Sequence, residues 1–327
     1  MNATIQYNQT KQELSGKFKK TFTLCLFAAS TFLVTPAFAT KYYVDVAKGN
    51  DNNSGLAVAS AFRNIQKAAN IVRPGDTVIV RDGIYTTSRT DALVILNYGG
   101  TAGKPITFMA EHSGGAKLSG NSNRTVEAWS FSTGVNYVNI QGFDMSRFSL
   151  MAAVVGSGSN NIGIIGNHIH DIGRICTNSN VGHVGLYFKG SSSVTITNNI
   201  IHDIGRYAPG ENGCKPTNAY YQNHDHGIYL DGVKNVTISS NTFYNTNRGW
   251  GVQVYSGSGN VSSGIKILSN DFSYPNPYRD GYIIFSNPGI TQSSVSNNKF
   301  HQPRGKGLIV KSGITFSGVS VSNNTTN

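Results

Sequence analysis

His224-Asp-His-Gly-Ile-Tyr-Leu-Asp-Gly-Val-Lys-Asn-Val-Thr-Ile-Ser-Ser-Asn241 contains two short alternating runs split by a small-residue turn and closed by an asparagine. Its upstream counterpart is His183-Val-Gly-Leu-Tyr-Phe-Lys-Gly-Ser-Ser-Ser-Val-Thr-Ile-Thr-Asn-Asn199. Superposing their glycines pairs Leu186 with Ile228, Tyr187 with Tyr229, Phe188 with Leu230 and Lys189 with Asp231. Alternate side chains of a strand point to opposite faces. Leu186, Phe188, Ile228 and Leu230 therefore face inward, and the tyrosines and Lys189 face outward.

Working outward, the second run recurs as Val138-Asn-Ile-Gln, Ile162-Gly-Ile-Ile, Val194-Thr-Ile-Thr, Val236-Thr-Ile-Ser, Ile265-Lys-Ile-Leu, Ser293-Ser-Val-Ser and Val319-Ser-Val-Ser. Except after the first, an asparagine follows in register: Asn167, Asn199, Asn241, Asn270, Asn298 and Asn324. A second strand family precedes these runs, at Gly185, Gly227, Gly251, Gly281 and Gly307. A third follows the asparagines, at Ile169, Ile201, Phe243, Phe272 and Phe300. Three short strands per repeat, joined by variable loops, describe one rung of a parallel β-helix, an all-β fold. The asparagines are expected to form a ladder, each adopting the left-handed conformation at a sharp bend and bonding its neighbours' backbone.

The first 39 residues read as a leader. Lys17, Lys19 and Lys20 precede an apolar run from Thr21 to Val34, and Ala37-Phe38-Ala39 matches a cleavage site. The run is too short to span a membrane, and no later segment is apolar enough to do so. A secreted or periplasmic protein is expected, with residues 40–327 forming one domain. The leader's four lysines and one glutamate leave with it, so the formal charge falls from +11 to +8. A basic extracytoplasmic chain suits an acidic partner such as a polyuronate, a sulfated glycan, a nucleic acid or an anionic surface, although such a balance also serves solubility alone. Cys176 and Cys214 each follow a copy of His-Asp-Ile-Gly-Arg (170–174 and 202–206), and a disulfide between these equivalent loops is expected. The Cys and His spacings match no zinc pattern.

Residues 40–75 read as a cap. Phe62 to Val72 places Phe62, Ile65, Ala68, Ala69 and Val72 at helical spacing, and Pro74-Gly75 ends the run. One amphipathic helix before a β array predicts a plug over the end of the stack. Tyr42-Tyr-Val, Gly49-x-Asp51, Gly55, Phe62-x-x-Ile65-x-x-Ala68-Ala69, Pro74-Gly-Asp-Thr-Val78 and Gly83-Ile-Tyr85 resemble the N-terminal cap of right-handed β-helix carbohydrate-active proteins. These include pectate, alginate and chondroitin lyases and some glycosidases. The resemblance implies that the Asn turn separates the second and third sheets. It also implies that the Gly-x-Tyr-x strands form the first sheet, whose outer face carries the substrate groove.

On that face the outward columns run Tyr187, Tyr229, Gln253 and Lys189, Asp231, Tyr255. The preceding loops add His183, His224, Asp225, His226, Arg248, Trp250 and Arg279, and the long loop from Arg206 to Asn223 is placed to wall one side. β-Elimination from a uronide needs a group to neutralise the carboxylate, a base for the acidified C–H and an acid for the leaving oxygen. Arg248 or a histidine suits the first role, Lys189 or His226 the second, and Tyr229 or Tyr187 the third. A polyanion stabilises charged lysine, which counts against Lys189 as base unless burial or neighbouring cations offset it. His183, His224, Asp225, Asp231, Trp250, Gln253, Tyr255 and Arg279 are candidates for holding sugar, Trp250 equally a core residue. His170 and His202 follow inward isoleucines and are expected to make turn bonds.

The favoured reading is a lyase on an acidic polysaccharide of the alginate or pectate kind. A C5-epimerase shares the proton abstraction. A glycoside hydrolase with Asp225 and Asp231 as paired carboxylates, or a non-catalytic glycan-binding surface protein, are the other classes. Some relatives use Ca2+, but the carboxylates here are too scattered to form an evident cage. No nucleic-acid motif is present, so no nucleic-acid partner is expected. A monomer is expected, its last rung after Val319–Ser322 left exposed or covered by a partner.

Overall fold

Three parallel sheets share the chain in rotation, each rung giving one strand to each. The computed structural model describes residues 39–207, 209–215, 224–246, 249–257, 260–273, 282–286, 289–301, 309–312 and 318–327. Among these, one sheet has ten strands, one eight and one nine, and every strand pair is parallel. The Val-x-Ile-x runs build the ten-stranded sheet, as in Ser192–Thr197 and Lys234–Ser239. The Gly-x-Tyr-x runs build the eight-stranded sheet, through Val184–Lys189, His226–Asp231 and Val252–Tyr255. The residues after each asparagine build the nine-stranded sheet, including His168–Ile172, Ile200–Ile204 and Thr242–Tyr244.

Because successive rungs are in register, like side chains stack inside. Phe243 lies 4.6 Å from Phe272, centroid to centroid, and Phe272 lies 5.2 Å from Phe300, with ring planes nearly parallel. Ile162, Val194, Val236 and Ile265 form a second fully buried column. Each such side chain contributes about 1.5–3 kcal/mol by leaving water, so the stack holds itself together rung by rung.

The asparagine ladder runs unbroken from Asn167 to Asn324. In each step the Oδ1 of one asparagine accepts the backbone N–H of the asparagine one rung earlier, as Asn241 Oδ1 does from Asn199 at 2.9 Å. Its Nδ2 donates to a carbonyl of the preceding rung, here Ile196. Where the first rung lacks an asparagine, Phe143 stands in its place and its N–H donates to Asn167 Oδ1. The expected left-handed asparagine is displaced by one position. Gly166, Asn198, Ser240, Ser269, Asn297 and Asn323, each just before a ladder residue, carry φ of 54–63°. The bend is made by the more exposed residue, while the buried ladder residue keeps an ordinary backbone and spends its amide on hydrogen bonds.

The cap helix is shorter than its apolar spacing suggests, spanning Ile65–Ala69. Phe62 is drawn instead into β pairing: its N–H donates to Tyr43 and its carbonyl accepts from Asp45. Asp51 takes the N–H groups of Arg63 and Asn64, which fixes the entry to the helix. Gln66 on the helix performs the plugging. Its Nε2 donates to Ile95 O at 3.0 Å and its Oε1 accepts Ile95 N–H at 2.7 Å, on the terminal strand of the eight-stranded sheet, Ala92–Leu96. Three strands of that sheet, Ala92–Leu96, Glu127–Phe131 and Met151–Val155, lie before the five glycine-led runs read from the sequence.

Cys176 and Cys214 are joined, with Cα atoms 5.4 Å apart. The leader expectation concerns residues outside those described. No helix among the described residues is long and apolar enough to cross a membrane. After Val319–Ser322 a short strand, Thr325–Thr326, continues the nine-stranded sheet.

Candidate functional site

Along the eight-stranded sheet, the strands from Ala92–Leu96 to His226–Asp231 share a shift in phase near their start. Val184 pairs with His226 and Leu186 with Ile228, while the glycine between them is skipped. The consecutive N–H groups of Gly227 and Ile228 both donate to the next rung, to Trp250 and Gly251. A regular strand directs only alternate N–H groups to one neighbour. At Gly227 the approach is too close for a side chain, since a Cβ placed there would lie 2.6 Å from the Gly251 carbonyl oxygen, whereas Ala128 and Ala152 hold the equivalent position in earlier strands. After the shift two successive positions point inward, and the position before them, occupied by Met151, Val184 and His226, opens on the outer side.

A cavity of ≈ 450 Å³ lies there. Its floor is Met151, Val184, Tyr187, His226, Tyr229, Gln253 and Tyr255, and Asn180, Val181, Gly182 and His224 complete its lining. Tyr187 and Tyr229 stack with centroids 5.3 Å apart and planes 15° apart, and His226 lies 5.5 Å from Tyr229. Burial, reinforced by the Asp231 carboxylate, pushes both tyrosine hydroxyls above their ordinary range. Both are therefore proton donors throughout neutral solution.

The two cavity histidines differ in tautomer. His226 Nδ1 accepts the Trp250 backbone N–H at 3.1 Å, so the neutral ring carries its proton on Nε2. His224 Nδ1 lies 3.0 Å from the Asn180 carbonyl, which can only accept, so its neutral ring carries the proton on Nδ1 and the lone pair on Nε2. Pinned through Nδ1, the neutral His226 ring has only its Nε2–H to offer, whereas the neutral His224 ring carries its lone pair on Nε2.

Other candidates are placed differently. Lys189 is exposed, two positions along the strand from Tyr187 and opposite Asp231, and does not line the cavity. Asp231 is half-buried and acts on the tyrosines through its charge. Asp225 is withdrawn from substrate altogether. Its side chain is fully buried and accepts from His183 N, Arg206 N, Arg206 Nε and Arg206 Nη2 at 2.7–2.9 Å. Arg206, also fully buried, reaches on to the carbonyls of Ser179 and Val181 and so holds the Asn180–Gly182 wall. His183 is buried as well; its Nδ1 donates to Gly173 O at 3.2 Å, and desolvation lowers its pKa. Trp250 is a core residue, 7 % exposed. Arg248 and Arg279 lie outside the described residues, as does much of the Arg206–Asn223 loop. Asn180, Val181 and Gly182 escaped notice because nothing local in the sequence reports where a loop folds back. The burial of Arg206 and Asp225 has a faint signal: an arginine and an aspartate bracketing a long loop.

Residues 138–326 match the protein family described as "Right handed beta helix region". Similar solved structures include the pectate lyase Pel9A, with a TM-score of 0.54 and 15% identity over 88% of this chain and 80% of that one. A rhamnogalacturonan lyase gives 0.52 and 16%, covering 88% of both chains. The family 28 exopolygalacturonase of Yersinia enterocolitica gives 0.50 and 11%, over 88% of this chain and 65% of its own. At these identities the likeness is one of fold. No curated protein matches the sequence.

Proposed function

Since the chain belongs to the right-handed β-helix family, we propose that its eight-stranded face binds an acidic polysaccharide and cleaves it by β-elimination. The observation that carries this is the cavity itself: two tyrosines kept protonated beside two histidines of opposite tautomer. In this reading the His226 Nε2–H and the Gln253 amide face the uronate carboxylate, with Arg248 the expected further cation. His224 Nε2 takes the proton from the carbon beside the carboxylate, and the electron pair forms the new C=C as the C–O bond to the leaving sugar breaks. Tyr229 supplies the proton to that leaving oxygen. Each proton transfer is worth roughly 10²–10⁴ in rate. Lys189 is set aside as the base because it is exposed and does not line the cavity. A secreted or periplasmic location, as the leader implies, fits a polymeric substrate. The neighbouring fold of a pectate lyase and the net positive charge both support the substrate class. Paired-carboxylate hydrolysis is disfavoured because Asp225 is locked in its ion pair.

The test is to offer alginate, polygalacturonate, hyaluronan and chondroitin to the purified protein and follow the ultraviolet absorbance of the unsaturated product. His224→Gln and Tyr229→Phe should each lower turnover about 100-fold or more, and Lys189→Met less than about tenfold. New reducing ends without absorbance would replace elimination by hydrolysis. Binding without cleavage would make the groove a recognition site only.

A further inference from the structure

The outer face of the nine-stranded sheet, separate from the groove, carries a cluster of imidazoles and carboxylates. Asp144 stands opposite His168 on the next rung, and His170 stands opposite His202 on the rung after. Ile169 and Ile201 between them point into the core, so the histidines point out rather than closing turns as their sequence positions suggest. His168 Nδ1 lies 3.3 Å from Asp144 Oδ2, and His170 Nε2 lies 3.2 Å from Asp144 Oδ1. The edge of a tetrahedron of ligands around a zinc ion, at bond lengths of 2.0–2.1 Å, is ~3.3 Å. We propose that Asp144, His168 and His170 bind a divalent transition-metal ion, with Zn2+ the best match.

Donor set and geometry agree on that class. Two imidazoles and one carboxylate suit zinc and its neighbours, and all three ligand atoms lie within 4.8 Å of one another. Three protein ligands leave a coordination position for water or a small anion.

The surrounding hydrogen bonds are an independent argument. His170 Nδ1 is 2.7 Å from Asp171 Oδ2, the arrangement by which a carboxylate orients a ligating histidine. His168 Nε2 is 2.7 Å from His202 Nε2, and two such nitrogens need one proton between them. His202 Nδ1 is 2.5 Å from Asp203 Oδ2, and Asn245 Nδ2 donates to the other oxygen of Asp203. With its Nδ1 proton committed to Asp203, neutral His202 accepts at Nε2, so neutral His168 donates from Nε2 and turns its Nδ1 lone pair toward Asp144. In that tautomer the His168 Nδ1 lone pair and the Asp144 carboxylate face the same point, where a cation would take both as ligands. The rings are already oriented, since His170 stacks on His202 at 8° between planes and His202 on Tyr244 at 11°. The pattern escapes zinc-motif spacing because its ligands come from adjacent rungs: a His-x-His on one strand and an aspartate 24 positions before the first histidine.

The test uses the untagged chain, stripped with chelator and titrated with Co2+ and then Zn2+ alone. One equivalent of Co2+ should bind with the intense visible absorption of a low-symmetry site and be displaced by Zn2+. Asp144→Asn and His168→Gln should each weaken binding at least tenfold, and His202→Gln about 10- to 100-fold through lost orientation. His112→Ala, in the exposed Asp82, Glu111 and His112 group elsewhere, should change nothing. X-ray absorption of the zinc-loaded wild type should show two imidazoles and a carboxylate, a readout independent of whether any variant folds. Failure to bind one equivalent, binding indifferent to Asp144→Asn and His168→Gln, or a zinc shell of oxygens alone would overturn the proposal and leave His168 and His170 as polar partners of Asp144 alone.

Discussion

Replacing Asp225 with asparagine is the most informative single perturbation of this molecule, because it changes charge and almost nothing in volume. The carboxylate receives four hydrogen bonds, two on each oxygen, three of them from Arg206. Asparagine keeps one acceptor oxygen and turns an NH2 toward the other pair of donors, whichever way the amide is placed. The fully buried Arg206 guanidinium keeps its charge, with the Ser179 and Val181 carbonyls as remaining partners among those identified. Removing one member of a buried pair costs about 3–5 kcal/mol, or a fall of roughly 5–8 °C in Tm for a domain of this size. Urea and thermal unfolding would measure it. The loss should be accompanied by weaker polysaccharide binding, since the same arginine holds the cavity wall at Asn180–Gly182. Arg206→Met combined with Asp225→Leu should recover much of the stability, because a hydrophobic pair of similar size needs no desolvation of charge, but not the wall. A loss below about 1 kcal/mol for Asp225→Asn would refute the reasoning, since it would mean that the guanidinium finds water or another anion.

Two further outcomes follow from features already described. Asn241→Leu, in the middle of the ladder, strands the Asn199 N–H and the Ile196 carbonyl inside the stack and should cost about 2–5 kcal/mol; Asn324→Leu, at the partly exposed end, should cost distinctly less in the same urea titration. His183, whose pKa is lowered chiefly by desolvation and by Arg206 against the pull of Asp225, is held neutral in the fold. The unfolded chain binds that proton at about pH 6.5, so stability is lost as pH falls from there toward the lower folded value. His183→Asn should therefore flatten the drop in Tm between about pH 7.5 and about pH 5; an unchanged or steeper drop would contradict the assignment.

The stack was legible because its signal is periodic: a residue and its equivalent one rung on share an environment, so Tyr187, Tyr229 and Gln253 could be aligned without coordinates, and their register holds. The earlier rungs were harder, since Ala152 occupies the glycine position and Phe143 the asparagine position, each satisfying the same geometry with different chemistry. Loop residues were legible as types but not as directions. His183, Asp225 and Trp250 look like ligands in sequence, yet the chain turns each of them inward. Apolar spacing carries the helix out to Phe62 because it cannot report that Phe62 has a strand to pair with. The cluster around Asp144 was missed because a rung-to-rung neighbour is remote in sequence.

The Gln66 contact at Ile95 bears on a hazard common to stacked sheets, which is that the final strand can template another molecule. A primary amide is the smallest side-chain group able to copy one peptide unit's pair of hydrogen bonds, and here it occupies the Ile95 peptide groups of that edge strand. A foreign strand pairing across Ile95 would have to dislodge the glutamine first.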